Sequence, residues 1–229
     1  RQFRVLCKDR DAPVQNTGNM KWIPLADEQP RPQLAGPRFS SSAPVFVAGS
    51  TWPGEEQPVL RQTKRAGLHT YLAPRHLDRL PDVEQTLRST DLNWTCWSDA
   101  HGSVDVDVIL VDVMGILADL YARADLCFVG GSWVDGVGGH DLLEPARFGI
   151  PISVGPHISN VSRDAEFLES VGQLRILESK RDWKEALDPT TLENGSEQPG
   201  PAPAVARRAR RIKDRYQHHF QPLLDAIRP

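Results

Sequence analysis

Between Val45 and Leu177 short apolar runs alternate with segments that repeat apolar residues at helical spacing. Val45–Ala48, Leu68–Ala73, Trp94–Trp97, Val106–Val111, Leu126–Val129 and Ile152–Val154 are short and nearly continuous in their apolar character. That texture predicts strands covered on both faces. Helices are predicted between them over 55–65, from beyond His76 to about Arg88, over Ile116–Arg123, Leu142–Phe148 and 163–170. A last short strand is predicted near Leu174–Leu177. The punctuation agrees with this reading. Glu55 and Glu56 open the first helix, where the helix dipole favours acidic residues. Pro81 must lie in the first turn of the second helix or break it. Gly149, with Pro151 just beyond, stops the helix that ends at Phe148. Strands alternating with helices predict an α/β fold, a doubly wound, Rossmann-like parallel sheet.

The flanks have a different texture. Residues 1–24 hold one strand candidate, Phe3–Cys7, and a turn at Asn16–Asn19. Residues 25–44 are rich in Pro, Gly and Ser and read as a linker with at most one short helix. The domain proper is then 45–187, followed by a flexible polar loop at 188–203. Residues 204–229 are predicted to form an amphipathic helix. Val205, Ile212, Tyr216, Phe220, Leu223 and Leu224 recur near helical spacing opposite Arg207, Arg208, Arg210, Arg211, Lys213 and Arg215. Such a helix either packs on the sheet with a solvated basic face or meets anionic lipid headgroups.

Bulk properties narrow the classes. With 229 residues the chain can bury one large core or two small ones. A net charge of −3 provides no global basic field for nucleic acid. Cys7, Cys96 and Cys127 are widely spaced and include no CxxC pair, so neither a zinc site nor a disulfide framework is indicated. No apolar run is long enough for a membrane-spanning helix, and no signal peptide is visible. The chain starts with Arg1 rather than Met, so an upstream segment is expected.

The densest chemistry lies in Phe128–Ala146, FVGGSWVDGVGGHDLLEPA. Glycines permit close backbone approach and positive φ. A helix start near His140–Pro145 would offer unpaired N–H groups to an anion. Glu144 follows Asp141 by three positions, so both share one face of the first turn. Other polar or glycine-bearing segments also fall at predicted strand ends, where open α/β sheets bind ligands. They are Ser50-Thr51, Pro74-Arg75-His76, Met114-Gly115, Gly130-Gly131 and Gly155-Pro156-His157. Together they suggest a pocket for a ligand carrying a phosphate and vicinal hydroxyls.

A collinear set of fragments resembles the carboxyl-terminal half of the bacterial Kdo transferases. These enzymes transfer 3-deoxy-D-manno-octulosonic acid (Kdo) from CMP-Kdo to lipid A precursors. The fragments are NTGNMKW at 16–22, GSTWPGEE at 49–56, LAPRH at 72–76, VMGILADLYARADLCFVGGS at 113–132, GGHDLLEPARFGIP at 138–151 and GPH at 155–157. The resemblance implies a GT-B glycosyltransferase, with this chain as its nucleotide-sugar-binding domain. Residues 1–24 would be the end of the preceding domain and the crossover from it. The catalytic base and acceptor surface would lie in that preceding domain, outside this chain. CMP-Kdo would be the donor, with no metal or other cofactor. The full-length protein would be cytoplasmic and peripheral on the inner membrane.

The resemblance also implies roles for single residues. Arg75 would meet a phosphate or the sugar carboxylate, as would Ser50 and Thr51 with their hydroxyls. Pro74 lies beside Arg75 in the same strand-end motif. The amides of Met114 and Gly115 would face the CMP phosphate or the cytosine edge. Glu144 would accept from the ribose hydroxyls. His140 would orient that site or touch phosphate, with Asp141 beside it. Gly130, Gly131, Gly138 and Gly139 would admit the backbone close to the ligand. Lys21 would face the cleft and help neutralise departing CMP. Three positions depart from the family pattern. Trp52-Pro53 replaces His-Glu, Asp141 replaces Asn, and Ile116 replaces an acidic residue. A carboxylate at 141 is unfavourable beside a phosphate unless it is paired or protonated.

Overall fold

The computed structural model describes residues 18–27, 35–187 and 201–226. The strand expected at Phe3–Cys7, Asn16 and Thr17 of the expected turn, and nearly all of the polar loop at 188–203 lie outside these.

The strands are β1 (Arg38–Phe39), β2 (Val45–Thr51), β3 (His69–Pro74), β4 (Trp94–Cys96), β5 (Ser103–Val104), β6 (Val108–Leu110), β7 (Leu126–Val129), β8 (Ile152–Val154) and β9 (Leu174–Ile176). The helices are α1 (Glu56–Arg65), α2 (Leu80–Arg88), α3 (Leu117–Tyr121), α4 (Leu143–Ala146), α5 (Ser162–Ser170), α6 (Lys180–Ala186) and α7 (Pro203–Ala226). Seven strands form one sheet in the order β4-β6-β3-β2-β7-β8-β9, and every pairing in it is parallel. The predicted doubly wound sheet is therefore present. The chain winds outward from β2 through β3 towards β4 and β6, then crosses back to β7. The order reverses between β2 and β7, the kind of switch point at which such sheets bind ligands.

Alternation along the strands splits the core between the two faces. Phe46, Ala48, Leu72, Leu110, Leu126 and Phe128 pack with Val59 and Leu60 of α1 and with Val83 and Leu87 of α2. Val47, Tyr71, Ile109, Cys127, Val129 and Ile152 face the opposite layer, with Leu120, Leu143, Ala165 and Leu168. Pro81 sits in the first turn of α2, as its missing N–H requires. Cys127 is a buried core residue. Cys96 is half-buried, and burial pushes its thiol up to about 11.

The flanks needed tertiary information. Met20–Ala26 is a 3-10 helix capped by the Asn19 side chain, which accepts from Lys21 N. Trp22 and Leu25 are buried in the core. Residues 25–44 are not linker throughout, because β1 falls within them and pairs in parallel with β5. Neither two-residue strand, nor α6, has a run long enough to be read from periodicity. Helix α7 packs on the 3-10 segment. Val205, Ala209 and Ile212 join the core beside Trp22 and Leu25. Lys213 Nζ pairs with Asp27 at 2.6 Å, and Arg208 stacks over both Trp22 and Phe167. The described part of the last helix thus clamps the opening segment onto the domain. Among the described residues no helix is long and apolar enough to cross a membrane.

Candidate functional site

A cleft of about 420 Å³ opens at the carboxyl ends of β2, β3, β6 and β7. Lys21, Ser50, Pro74, Arg75, Met114, Gly115, His140, Asp141 and Glu144 line it, with Val113, Leu117 and Tyr121 adding apolar wall. Residues scattered from 21 to 144 therefore converge on one recess.

Ser50, the penultimate residue of β2, has φ of 55°, in the left-handed region and without being a glycine. The β2–β3 register slips there, between Gly49 and Thr51. Such a conformation stores on the order of 1–3 kcal/mol and persists only where surrounding structure over-determines it. Arg75 is exposed at the cleft and its backbone N–H is held by Thr51 O at 3.0 Å. Its guanidinium makes no ion pair among the described residues. Met114 is 67% exposed, so it is wall and not core. Gly115 has φ of 87°, which a side chain would resist.

Glu144 stands in the single turn of α4 and faces the open recess. Water reaches it, yet protein encloses it on the remaining sides. That burial pushes its carboxyl above the ordinary 4.5, and repulsion from Asp141 adds to the push, while Arg147, Lys21 and Arg75 pull it back. Asp141 is paired. Its Oδ2 lies 2.9 Å from Lys21 Nζ, and its Oδ1 accepts from Leu143 N at 2.9 Å. The pair raises the pKa of Lys21, through the hydrogen bond first and then through charge attraction. The negative charge introduced at 141 is thus answered by a cation from the 3-10 segment.

Four expected residues stand behind the wall. Thr51 is fully buried, and its hydroxyl has no hydrogen-bond partner among the described residues. A Cβ at Gly130 would strike the Ser50 carbonyl and Glu55. One at Gly131 would press on Val137 and His140. Gly139 donates its N–H to Gly131 O at 2.7 Å. These glycines admit neighbouring protein, and only through it do they shape the recess. His157 lies elsewhere, 3.6 Å from Asp135. The helix start expected around His140 is only the one-turn α4, so the cleft is furnished by side chains more than by a helix N-terminus.

The largest omission from the sequence reading is Glu55. It is buried, and it is more than a dipole-favoured carboxylate. Its oxygens accept from the backbone N–H groups of Trp52, Gly131, Ser132 and Trp133 at 2.8–3.1 Å. Burial raises its pKa, and those donors pull it back. The available clue was the Gly-Gly-Ser turn after β7, whose backbone donors must find an acceptor. Trp52, too, was not expected to contribute. Its indole Nε1 donates to His140 Nε2 at 2.7 Å. Burial lowers the pKa of His140, and the nearby Arg75 and His76 lower it further. Among the described residues no cluster of three or more His, Cys, Asp or Glu is arranged to hold a metal ion.

No protein-family model matches the chain. A 3-deoxy-D-manno-octulosonic acid transferase of Chlamydophila psittaci is 36% identical over 177 residues, covering 75% of this chain and 40% of that protein. The chain therefore spans less than half the length of this relative. The C-terminal CMP-Kdo binding domain of WaaA from Acinetobacter baumannii superposes with a TM-score of 0.61 at 24% identity, covering 77% of this chain and 91% of that domain. The calicheamicin glycosyltransferase CalG4 gives a TM-score of 0.50 at 15% identity, over 86% of this chain and 47% of that enzyme. These matches identify the architecture as that of a GT-B carboxyl-terminal domain. The resemblance read from the motifs holds: in sequence this chain is similar to 3-deoxy-D-manno-octulosonic acid transferases, and in fold to the C-terminal CMP-Kdo binding domain of WaaA.

Proposed function

We propose that this chain is the donor-binding half of a glycosyltransferase that moves Kdo from CMP-Kdo to a lipid A precursor. The observation that carries the reading is the convergence of Ser50, Arg75, Met114-Gly115, His140 and Glu144 on one cleft at the switch point. Glu144 offers two acceptor oxygens for ribose hydroxyls. Arg75 offers a fixed, forked cation for the phosphate or the Kdo carboxylate. Lys21, paired with Asp141, keeps that carboxylate from opposing an anionic ligand. As the glycosidic bond breaks, the anomeric carbon becomes electron-poor and CMP leaves as an anion. Preorganised donors on its phosphate lower that barrier. The reading needs no resident metal or other cofactor. The general base and the acceptor surface belong to a preceding domain.

The reading also places the enzyme at the cytoplasmic face of the inner membrane as a peripheral protein. Its support is a groove beside α7 where Arg163, Arg207, Arg208, Arg211 and Arg215 gather. The one carboxylate among the described residues lining it, Asp164, is already engaged by Trp22 Nε1 at 2.8 Å and Asn19 Nδ2 at 3.2 Å.

Calorimetric titration of the purified chain with CMP, CMP-Kdo, UDP and GDP tests the donor assignment. Binding of CMP and CMP-Kdo in preference to UDP and GDP is expected. A preference for UDP or GDP would move the chain to another nucleotide sugar, and no binding by any of them would remove the donor role. The specific motive for that second reading is Trp52-Pro53 and Asp141, which depart from the resembled motif.

A further inference from the structure

We infer that Trp52 is a positioning residue: by donating its indole N–H to His140 Nε2, it holds that imidazole in the neutral tautomer with the proton on Nδ1. This fixes His140 as a hydrogen-bond donor to an anionic group bound in the cleft. The ligand half of the inference rests on the nucleotide-sugar reading above, while the tautomer half does not.

The argument starts from donor inventory. An indole nitrogen only donates, whereas a neutral imidazole has one donor and one acceptor nitrogen. A 2.7 Å contact from Trp52 Nε1 to His140 Nε2 therefore requires Nε2 to be the acceptor. The proton must then sit on Nδ1, because the bond made by one ring nitrogen sets the state of the other. Nδ1 has no partner among the described residues, and His140 lines the cleft. Protonating both nitrogens would set two donors face to face.

The surroundings hold this arrangement in place. Trp52 is pinned at its backbone, where its N–H donates to Glu55 Oε2 at 2.9 Å. The same oxygen takes Gly131 N at 2.8 Å, which ties Trp52 to the turn beneath His140. Gly131 leaves room for the Nε2 edge of the imidazole, which a Cβ there would crowd. The two rings lie 6.2 Å apart at 21°, and His76 closes on Trp52 edge-on at 5.3 Å. Burial disfavours protonation of His140, and the neighbouring Arg75 and His76 disfavour it further. A histidine at 52, which the resembled motif carries, could either donate or accept. Tryptophan removes that ambiguity.

Two measurements test the inference. Long-range proton–nitrogen correlation of the histidine rings in the purified chain should show His140 with Nδ1 protonated and Nε2 bare. Trp52→Phe should lose that preference and weaken CMP binding roughly tenfold, the scale of one hydrogen bond to a charged group. In a His140→Asn background no imidazole remains to orient, so adding Trp52→Phe should change CMP affinity by less than about twofold. Finding the proton on Nε2 in the parent chain overturns the inference. So does a full tenfold loss from Trp52→Phe in the His140→Asn background, which would make Trp52 a packing residue only. The Nδ1–H tautomer in a chain that binds no CMP supports the orienting bond and overturns the nucleotide reading instead.

Discussion

Glu144 carries the clearest residue-scale consequences. On the proposed nucleotide-sugar reading, removing its carboxylate would leave ribose hydroxyls without their partners, so Glu144→Ala should weaken CMP binding by about 1–3 kcal/mol. An unchanged dissociation constant in calorimetry would take Glu144 out of the ribose role. Its titration gives an independent check. The fold raises its pKa above 4.5, so the native chain holds this proton more tightly than the unfolded chain does. The resulting stabilisation is fully present below that value and is lost as pH rises through the raised one. Glu144→Gln abolishes the slope, so its stability relative to the parent should improve between pH 4 and pH 7. Denaturant midpoints at the two pH values measure this, and an equal gap at both would refute it. Arg75, exposed and without an ion pair among the described residues, should make the proposed nucleotide binding salt-sensitive, and Arg75→Ala should flatten that response. An identical salt response would mark Arg75 as structural. At this scale the sequence was informative about type and poor about direction. Ser50, Arg75, Met114, His140 and Glu144 reach the cleft. Thr51 turns into the core instead, because strand residues alternate sides and a register slip at Ser50 decides which side is which.

At the scale of elements, the junction of β2, α1 and the turn after β7 is organised by a carboxylate. Glu55 satisfies backbone donors of two segments that are distant in sequence. In Glu55→Gln one acceptor oxygen becomes an NH₂ facing N–H groups. The expected loss is about 3 kcal/mol or more, from buried donors left without partners. Urea denaturation measures it, and a change below about 0.5 kcal/mol, the scale of a neutral surface substitution, would show that water replaces the carboxylate. The neighbouring Arg79–Glu56 pair, at 3.0 Å and largely buried, ties the 3-10 turn before α2 to α1. The major strands and helices were legible because each has a continuous run or a repeated apolar stripe. The pairing of β1 with β5 was not, since two residues carry no period.

At the scale of the molecule, α7 and the 3-10 helix close the domain together and leave an arginine-lined groove between α5 and α7. Each cation near an anionic membrane contributes about 1 kcal/mol. Replacing Arg207, Arg211 and Arg215 with Gln should therefore lower partitioning onto phosphatidylglycerol-containing vesicles by roughly a hundredfold at low salt. Flotation assays read this directly. Equal partitioning of the parent chain onto neutral phosphatidylcholine vesicles would sink the electrostatic account.

The sequence by itself determined the architecture and which polar residues stand at the strand ends. Short apolar strands covered on both faces leave few alternatives to a parallel α/β sheet, and strand-end residues in such a sheet must gather along one edge. Only the tertiary structure decided which of those residues meet. Lys21 neutralises Asp141 across 120 positions of chain, and Trp52 orients His140 across 88. Glu55 holds the glycine turn across 76 to 78 positions. Such partnerships depend on side-chain direction and on the crossing from β2 to β7, and neither leaves a period in the sequence. The run from Phe128 to Ala146 looked like a bed for a ligand's phosphate. Packed, its glycines make room for Glu55 and His140, and the cleft is lined mainly by side chains from other strand ends.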